Sequence, residues 1–296
     1  MPPLKPIETL ARMQEVMGPL PAPTPNLPLE VRTLLVEQFP LYTRHKITYQ
    51  TDPGDHVPAW LLVPRKPATR AVLCVHSTQR SGKDEVVGMG QRFSRHTAKE
   101  LAERGYVALA PDYPNFGEYF LDVYERGYVS ASMKGIVNHR RAVDLLLAHP
   151  GITRVAAAGH SLGGHNALFI AAFDPRIQAA VTSCGFTSFA KYYGGDLTGW
   201  SHRGYMPRIA TVYNRDPRRM PFDFPDVLAA IAPRAVFVNA PLHDANFDVS
   251  GVRDCIAAAG PLFPKARLQV TYPDSEHDFP DEARALAWQF LDNVLR

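Results

Sequence analysis

Apolar and polar positions fall into short blocks along this chain, and the period of each block predicts an element. Residues 42–50 alternate. Thr51-Asp52-Pro53-Gly54-Asp55 then makes a turn, and residues 57–63 alternate again, which predicts an antiparallel hairpin at one edge of a sheet. Residues 71–75, 106–110 and 155–158 are continuous apolar runs, the pattern of strands buried on both faces, and 177–183, 235–240 and 267–272 complete the set. Helical spacing covers six further stretches. Residues 29–39 stop at Pro40, 96–104 end at Gly105, 132–148 are stopped by Pro150-Gly151, and 165–173 are closed by Asp174-Pro175. The last two are 249–259 and 281–295. Strands that alternate with helices imply an α/β fold with a mostly parallel central sheet and helices on both faces.

Two stretches break the rhythm. Residues 1–30 are rich in proline, with room for one or two helical turns at 13–17 before the extended Pro21-Ala22-Pro23-Thr24-Pro25. They predict an arm that packs on the surface or against a second copy of the chain, hence a possible homodimer. Residues 186–225 are too long for a plain connection and carry nine aromatic side chains, among them Phe186, Tyr192, Trp200 and Tyr205. Long insertions in compact domains are usually lids or binding loops. The expected organisation is an arm, 1–30, and one domain, 31–296, with a lid at about 186–225.

Composition narrows the function classes. The chain has 296 residues, is 46% hydrophobic and carries a formal charge of only +3. No basic stripe interleaved with aromatics is present, so nucleic acid is not an expected partner. No apolar run is of bilayer length, and Met1-Pro2-Pro3-Leu4-Lys5-Pro6 lacks the order of a signal peptide, so no membrane role is expected. Cys74, Cys184 and Cys255 are odd in number and sit in apolar settings without C-x-x-C spacing, which predicts free thiols in a reducing cytoplasm. No metal-ligand spacing occurs, and Ser81-Gly82-Lys83-Asp84-Glu85 fails as a phosphate loop, so no cofactor or metal is expected.

The chemistry concentrates at Gly159-His160-Ser161-Leu162-Gly163. This G-x-S-x-G follows a predicted strand and opens a predicted helix, the context of a nucleophile elbow. A serine hydroxyl needs a base, and the base needs an orienting acid. On such a sheet the chain order is Ser, acid, His. His277 follows the last strand directly, and Asp244 follows the strand at 235–240. Asp248 stands four residues on, where it would cap the helix at 249–259, so Asp244 is the favoured acid. The oxyanion would meet the Leu162 N–H and a second N–H after the strand at 71–75, for which Thr78 is favoured over Ser77. His76 would brace that loop, and Lys83, Asp84 and Glu85 would fix it through a charged network. Ser77, Tyr113, Phe186, Tyr192, Trp200 and Tyr205 are the expected substrate contacts.

These motifs, with Leu73-Cys74-Val75-His76-Ser77-Thr78, Ala110-Pro111-Asp112-Tyr113 and His277-Asp278-Phe279, resemble the α/β-hydrolases of the dienelactone-hydrolase and acetyl-xylan-esterase-like branch over roughly residues 40–296. The resemblance implies a serine carboxylesterase that works through an acyl-enzyme, with Ser161, Asp244 and His277 as its triad. Dienelactone hydrolases use a cysteine nucleophile, so Ser161 argues against their reaction. Two enzyme alternatives share this catalytic half: a peptidase of the prolyl-oligopeptidase kind and an acyltransferase. A ligand-binding protein that kept the fold would be expected to have a broken triad.

Overall fold

The computed structural model describes residues 2–296. Its order is α1 (Pro6–Met17), β1 (Arg32–Gln38), β2 (Tyr42–Asp52), β3 (Asp55–Pro64), β4 (Arg70–Val75), α2 (Thr97–Glu103), β5 (Val107–Pro111), α3 (Ala131–Ala148), β6 (Arg154–His160) and α4 (Leu162–Phe173). It continues with β7 (Ile177–Ser183), α5 (Arg208–Thr211), α6 (Phe224–Ile231), β8 (Ala235–Asn239), α7 (Val249–Ala259), β9 (Leu268–Thr271) and α8 (Asp281–Val294). The strands form one sheet in the order β1-β2-β3-β5-β4-β6-β7-β8-β9. β1, β2, β3 and β5 pair antiparallel in turn, and every pair from β5 through β4 to β9 is parallel. The mostly parallel sheet and its antiparallel N-terminal edge are therefore as the periodicity predicts.

Alternation along the central strands sends side chains to two separate cores. Leu73, Val75 and Leu109 face one layer with Ile136, Leu168, Phe224 and Val252, so α3, α4, α6 and α7 cover that side. Val72, Cys74, Ala108 and Ala110 face the other with Leu101, Ala283, Trp288 and Leu291, from α2 and α8. Cys74, Cys184 and Cys255 are buried and free. No helix among the described residues is long and apolar enough to cross a membrane.

One element differs from its expectation. Residues 29–39 form not a helix but the edge strand β1, paired antiparallel with β2 from Arg32 opposite Thr48 to Gln38 opposite Thr43. Their apolar residues repeat at helical spacing, yet Leu34, Leu35 and Val36 are all exposed, so that spacing marks no buried face. β-branched Thr33 and Val36 suit a pleated surface. The free edge of β2 supplies the partner, and Glu37 ties back to Arg44 at 2.8 Å. The helix in the arm is longer than expected, three turns from Pro6. It rests on the body through fully buried Met13, Val16 and Met17, and the Leu4 N–H donates to Asp226 Oδ1 at 2.8 Å.

Segment 186–225 is a chain of short helical turns whose aromatics divide between two tasks. Phe186 stacks on Phe224 at 5.1 Å, and Phe189 and Phe222 meet edge to face at 5.7 Å. These four are buried and complete the core above α4 and α6, while Tyr192, Tyr193, Trp200 and Tyr205 face a cleft. Phe224→Ala is therefore expected to cost about 3–5 kcal/mol in urea unfolding followed by circular dichroism. Leu34→Ala on the exposed edge should stay within about 0.5 kcal/mol of the parent. Equal losses would show that the segment is not part of the core.

Candidate active site

The parallel strands all point their C-terminal ends to one side, where ligands meet such sheets. The loops after β4, β6, β8 and β9 bring Thr78, Ser161, Asp244 and His277 to that side.

Ser161 sits between β6 and α4 with φ 54° and ψ −117°, a conformation that is strained for a residue with a side chain. The turn holds because its neighbours are glycines. A Cβ on Gly159 would lie 2.3 Å from the Gly163 carbonyl, and one on Gly163 would lie 2.0 Å from the Val75 oxygen. The Ser161 N–H donates to the Ser183 carbonyl at 2.8 Å, which pins the turn to β7.

Asp244 and His277 meet as the chain-order argument expects. His277 Nδ1 lies 3.0 and 2.9 Å from the two Asp244 oxygens. The carboxylate is almost wholly buried and also accepts the Asn246 and Phe247 N–H groups at 2.8 and 3.0 Å. It is held by its own loop as well as by the histidine. Asp248 instead caps α7, accepting the Ser250 N–H at 2.7 Å. His277 is partly exposed, with the Phe247 ring at 5.9 Å and the His160 ring at 4.7 Å.

His160, inside the G-x-S-x-G, is buried. Its Nδ1 pairs with Ser183 Oγ at 2.9 Å. Burial, reinforced by Arg95, His277 and Arg92, holds its pKa well below the usual histidine value, so the ring is neutral near pH 7. His165, one turn into α4, is pushed down to about 3 by burial and packs on Trp200 at 4.7 Å.

The loop after β4 is fixed from two directions. His76 Nε2 accepts the Tyr113 N–H at 2.9 Å, and its Nδ1 donates to the Ser77 carbonyl at 2.7 Å. Glu85 accepts the Ser77 N–H at 3.1 Å and the Ser77 hydroxyl at 2.7 Å. That N–H is therefore already committed, whereas the Thr78 and Leu162 N–H groups have no protein acceptor among the described residues. Lys83 is wholly buried and lies 2.8 Å from Asp112 and 2.6 Å from Glu118. Burial, the largest single effect, would lower its pKa, but Asp112, Glu118 and Asp84 together raise it. Asp84 accepts from the Trp60 indole at 2.6 Å.

Ser161 and His277 open onto a cleft of about 340 Å³. Ser77, Thr78, Leu162, Tyr192, Trp200 and Tyr205 are among the residues that line it. Thr78 Oγ1 bonds to the Tyr205 hydroxyl at 2.8 Å, joining the β4 loop to the covering segment. Two expected contacts lie elsewhere. Phe186 belongs to the core stack, and Tyr113 is fully buried with its hydroxyl donating to the Gly204 carbonyl at 3.2 Å. Arg92, Arg95, Tyr193, Asn246 and Phe247 line the cleft without having been anticipated. Phe247 was within reach of sequence reasoning, three residues past Asp244. The arginines carry no motif.

Comparison with known proteins agrees with this architecture. The profile of the prolyl oligopeptidase family matches residues 91–295. A Bacillus subtilis (strain 168) protein named as a hydrolase, YtaP, is 25% identical over 264 residues, covering 83% of each chain. Among solved structures, a glucuronoyl esterase from Solibacter usitatus superposes with a TM-score of 0.76 at 19% identity, covering 98% of this chain and 92% of that one. Acetyl xylan esterase 1 from Thermoanaerobacterium sp. JW/SL YS485 gives 0.65 at 17%, covering 100% and 96%. The fold is that of the α/β-hydrolases, as the motifs implied.

The clash that fills the elbow gives a direct test. Gly163→Ala must displace the Val75 carbonyl and is expected to cost about 3 kcal/mol or more in urea unfolding. A variant as stable as the parent would show that the elbow does not pack against β4 in this way.

Proposed function

The chain belongs to the prolyl oligopeptidase family and has the α/β-hydrolase fold of a hydrolase, and from that premise we propose that it is a serine carboxylesterase acting through an acyl-enzyme. The observation that carries the reading is the meeting of buried Asp244 with His277 Nδ1, beside a cleft that also holds the strained Ser161.

The steps follow from this geometry. Asp244 accepts the Nδ1–H of His277 and so leaves Nε2 as the base. His277 takes the Ser161 proton as the hydroxyl attacks the ester carbonyl, and the carbonyl oxygen becomes an oxyanion. The free N–H groups of Leu162 and Thr78 are the donors for it, two dipoles already in place before charge develops. The imidazolium then protonates the leaving alkoxide, and the alcohol departs. Water, deprotonated by the same ring, attacks the acyl-enzyme and returns Ser161. The carboxylate keeps its charge throughout, stabilised by the Asn246 and Phe247 N–H groups.

Ester over amide is favoured by the esterases among the similar folds. Family membership favours the second reading, a peptidase. Stopped-flow assays with p-nitrophenyl acetate and butyrate, beside a benzyloxycarbonyl-Gly-Pro p-nitroanilide, separate the two. The expected result is a burst on the esters that Ser161→Ala abolishes, with little turnover of the anilide. Preferential anilide cleavage would overturn the ester reading in favour of the peptidase. Asp244→Asn should leave the fold intact and lower kcat by roughly 10⁴-fold, the effect known for removing a triad carboxylate. A loss under tenfold would remove Asp244 from the proposed role.

A further inference from the structure

We propose that the cleft selects esters that carry a carboxylate, recognised by Arg92 and supported by Arg95. The inference rests on the serine-esterase reading and adds the substrate class to it.

The charge of the lining carries the argument. Two arginines and no aspartate or glutamate line the cleft among the described residues. Arg92 is exposed on the cleft wall, with no salt-bridge or hydrogen-bond partner among the described residues. Arg95 also lines the cleft and is 3% exposed. One Arg95 nitrogen donates to the His277 carbonyl at 3.1 Å. The other, Nη1, stands 3.2 Å from Asp278 Oδ1 but makes no hydrogen bond. Asp278 is itself tied to the Ser94 hydroxyl at 2.7 Å and is nearly half exposed. Asp278 and Glu85 thus offset the charge of Arg95, while Arg92 stands on the cleft wall with no carboxylate paired to it among the described residues.

The rest of the lining suits the same ligand. The Trp200 indole nitrogen can only donate, and it is buried without an acceptor. Gln79 and Asn246 add further polar groups. Arg92 and Arg95 stand at either end of the short turn Phe93–Arg95, so both guanidinium groups are carried by one piece of backbone. Guanidinium is suited to carboxylate because its planar donors match two oxygens. A neutral ester would leave Arg92 without an anionic partner, whereas a half-ester of a dicarboxylic acid, or an ester of a hydroxy acid, would supply one.

Matched esters test this by pH-stat titration at low salt. Ethyl hydrogen glutarate is compared with ethyl valerate for a charge on the acyl side, and butyryl glycolate with propyl butyrate for a charge on the alcohol side. In the parent protein one anionic ester should exceed its neutral partner in kcat/KM by roughly tenfold or more. Arg92→Gln should lower that ratio by about tenfold, Arg92→Lys should keep part of it, and added salt should reduce it. Equal use of both members of each pair, or a ratio that Arg92→Gln leaves alone, overturns the carboxylate subsite while the esterase reading stands. No turnover of any ester, with no fluorophosphonate label on Ser161, overturns the esterase reading and the subsite with it.

Discussion

Between Gly163 and the Val75 carbonyl there is room for a hydrogen atom and nothing larger. That contact lets the start of α4 sit directly against the end of β4, and the candidate site depends on it. The Ser161 turn and the β4 loop share one floor, and Leu162 and Thr78 both line the cleft above it. Gly159, pressed on Gly163 from the other side, closes the turn. A serine at φ 54° is costly in isolation. It persists here because the strand before it and the helix after it are fixed in a fully packed sheet.

Asp244 and His277 are held differently from Ser161. Asp244 depends on its own loop, through two backbone donors, and on His277. Under these groups runs a buried polar chain in which Asn239 donates to Ser183 Oγ at 2.8 Å and to the Asp278 carbonyl at 2.9 Å. Ser183 Oγ also meets His160. The loop after β9 is thereby tied to β7 and β8, and the position of His277 is set by groups outside the cleft. The elbow's own His160 acts as a neutral brace, kept uncharged by burial.

Much of this was legible in the sequence because it is local. Continuous apolar runs mark central strands wherever they lie, and the glycines around Ser161 announce a turn only glycine permits. Asp248 declared itself a cap by standing before a helix, which left Asp244 for His277. Residues 29–39 were misread because a strand is defined by its partner, and nothing within those residues reveals the open edge of β2. The aromatics of 186–225 could not be sorted for a similar reason. Phe186 and Trp200 look alike in composition, but one stacks on Phe224 beneath the surface and the other faces the cleft. Arg92 and Arg95 carry no pattern, and only folding shows that they share a wall.

Lys83 gives the cleft a mechanical asymmetry. Its ammonium, without solvent contact, joins the segment after β4 to Asp112 and Glu118 beyond β5. Separating those loops would strand a buried charge, so they move as one rigid piece or not at all. The opposite side is built of short turns, linked to the rigid side by neutral hydrogen bonds such as Thr78–Tyr205 at 2.8 Å and Tyr113–Gly204 at 3.2 Å. Displacing that side breaks neutral hydrogen bonds and strands no buried ammonium. Change in what the cleft accepts is likewise cheapest there, where a residue can be exchanged without disturbing the electrostatic anchor opposite.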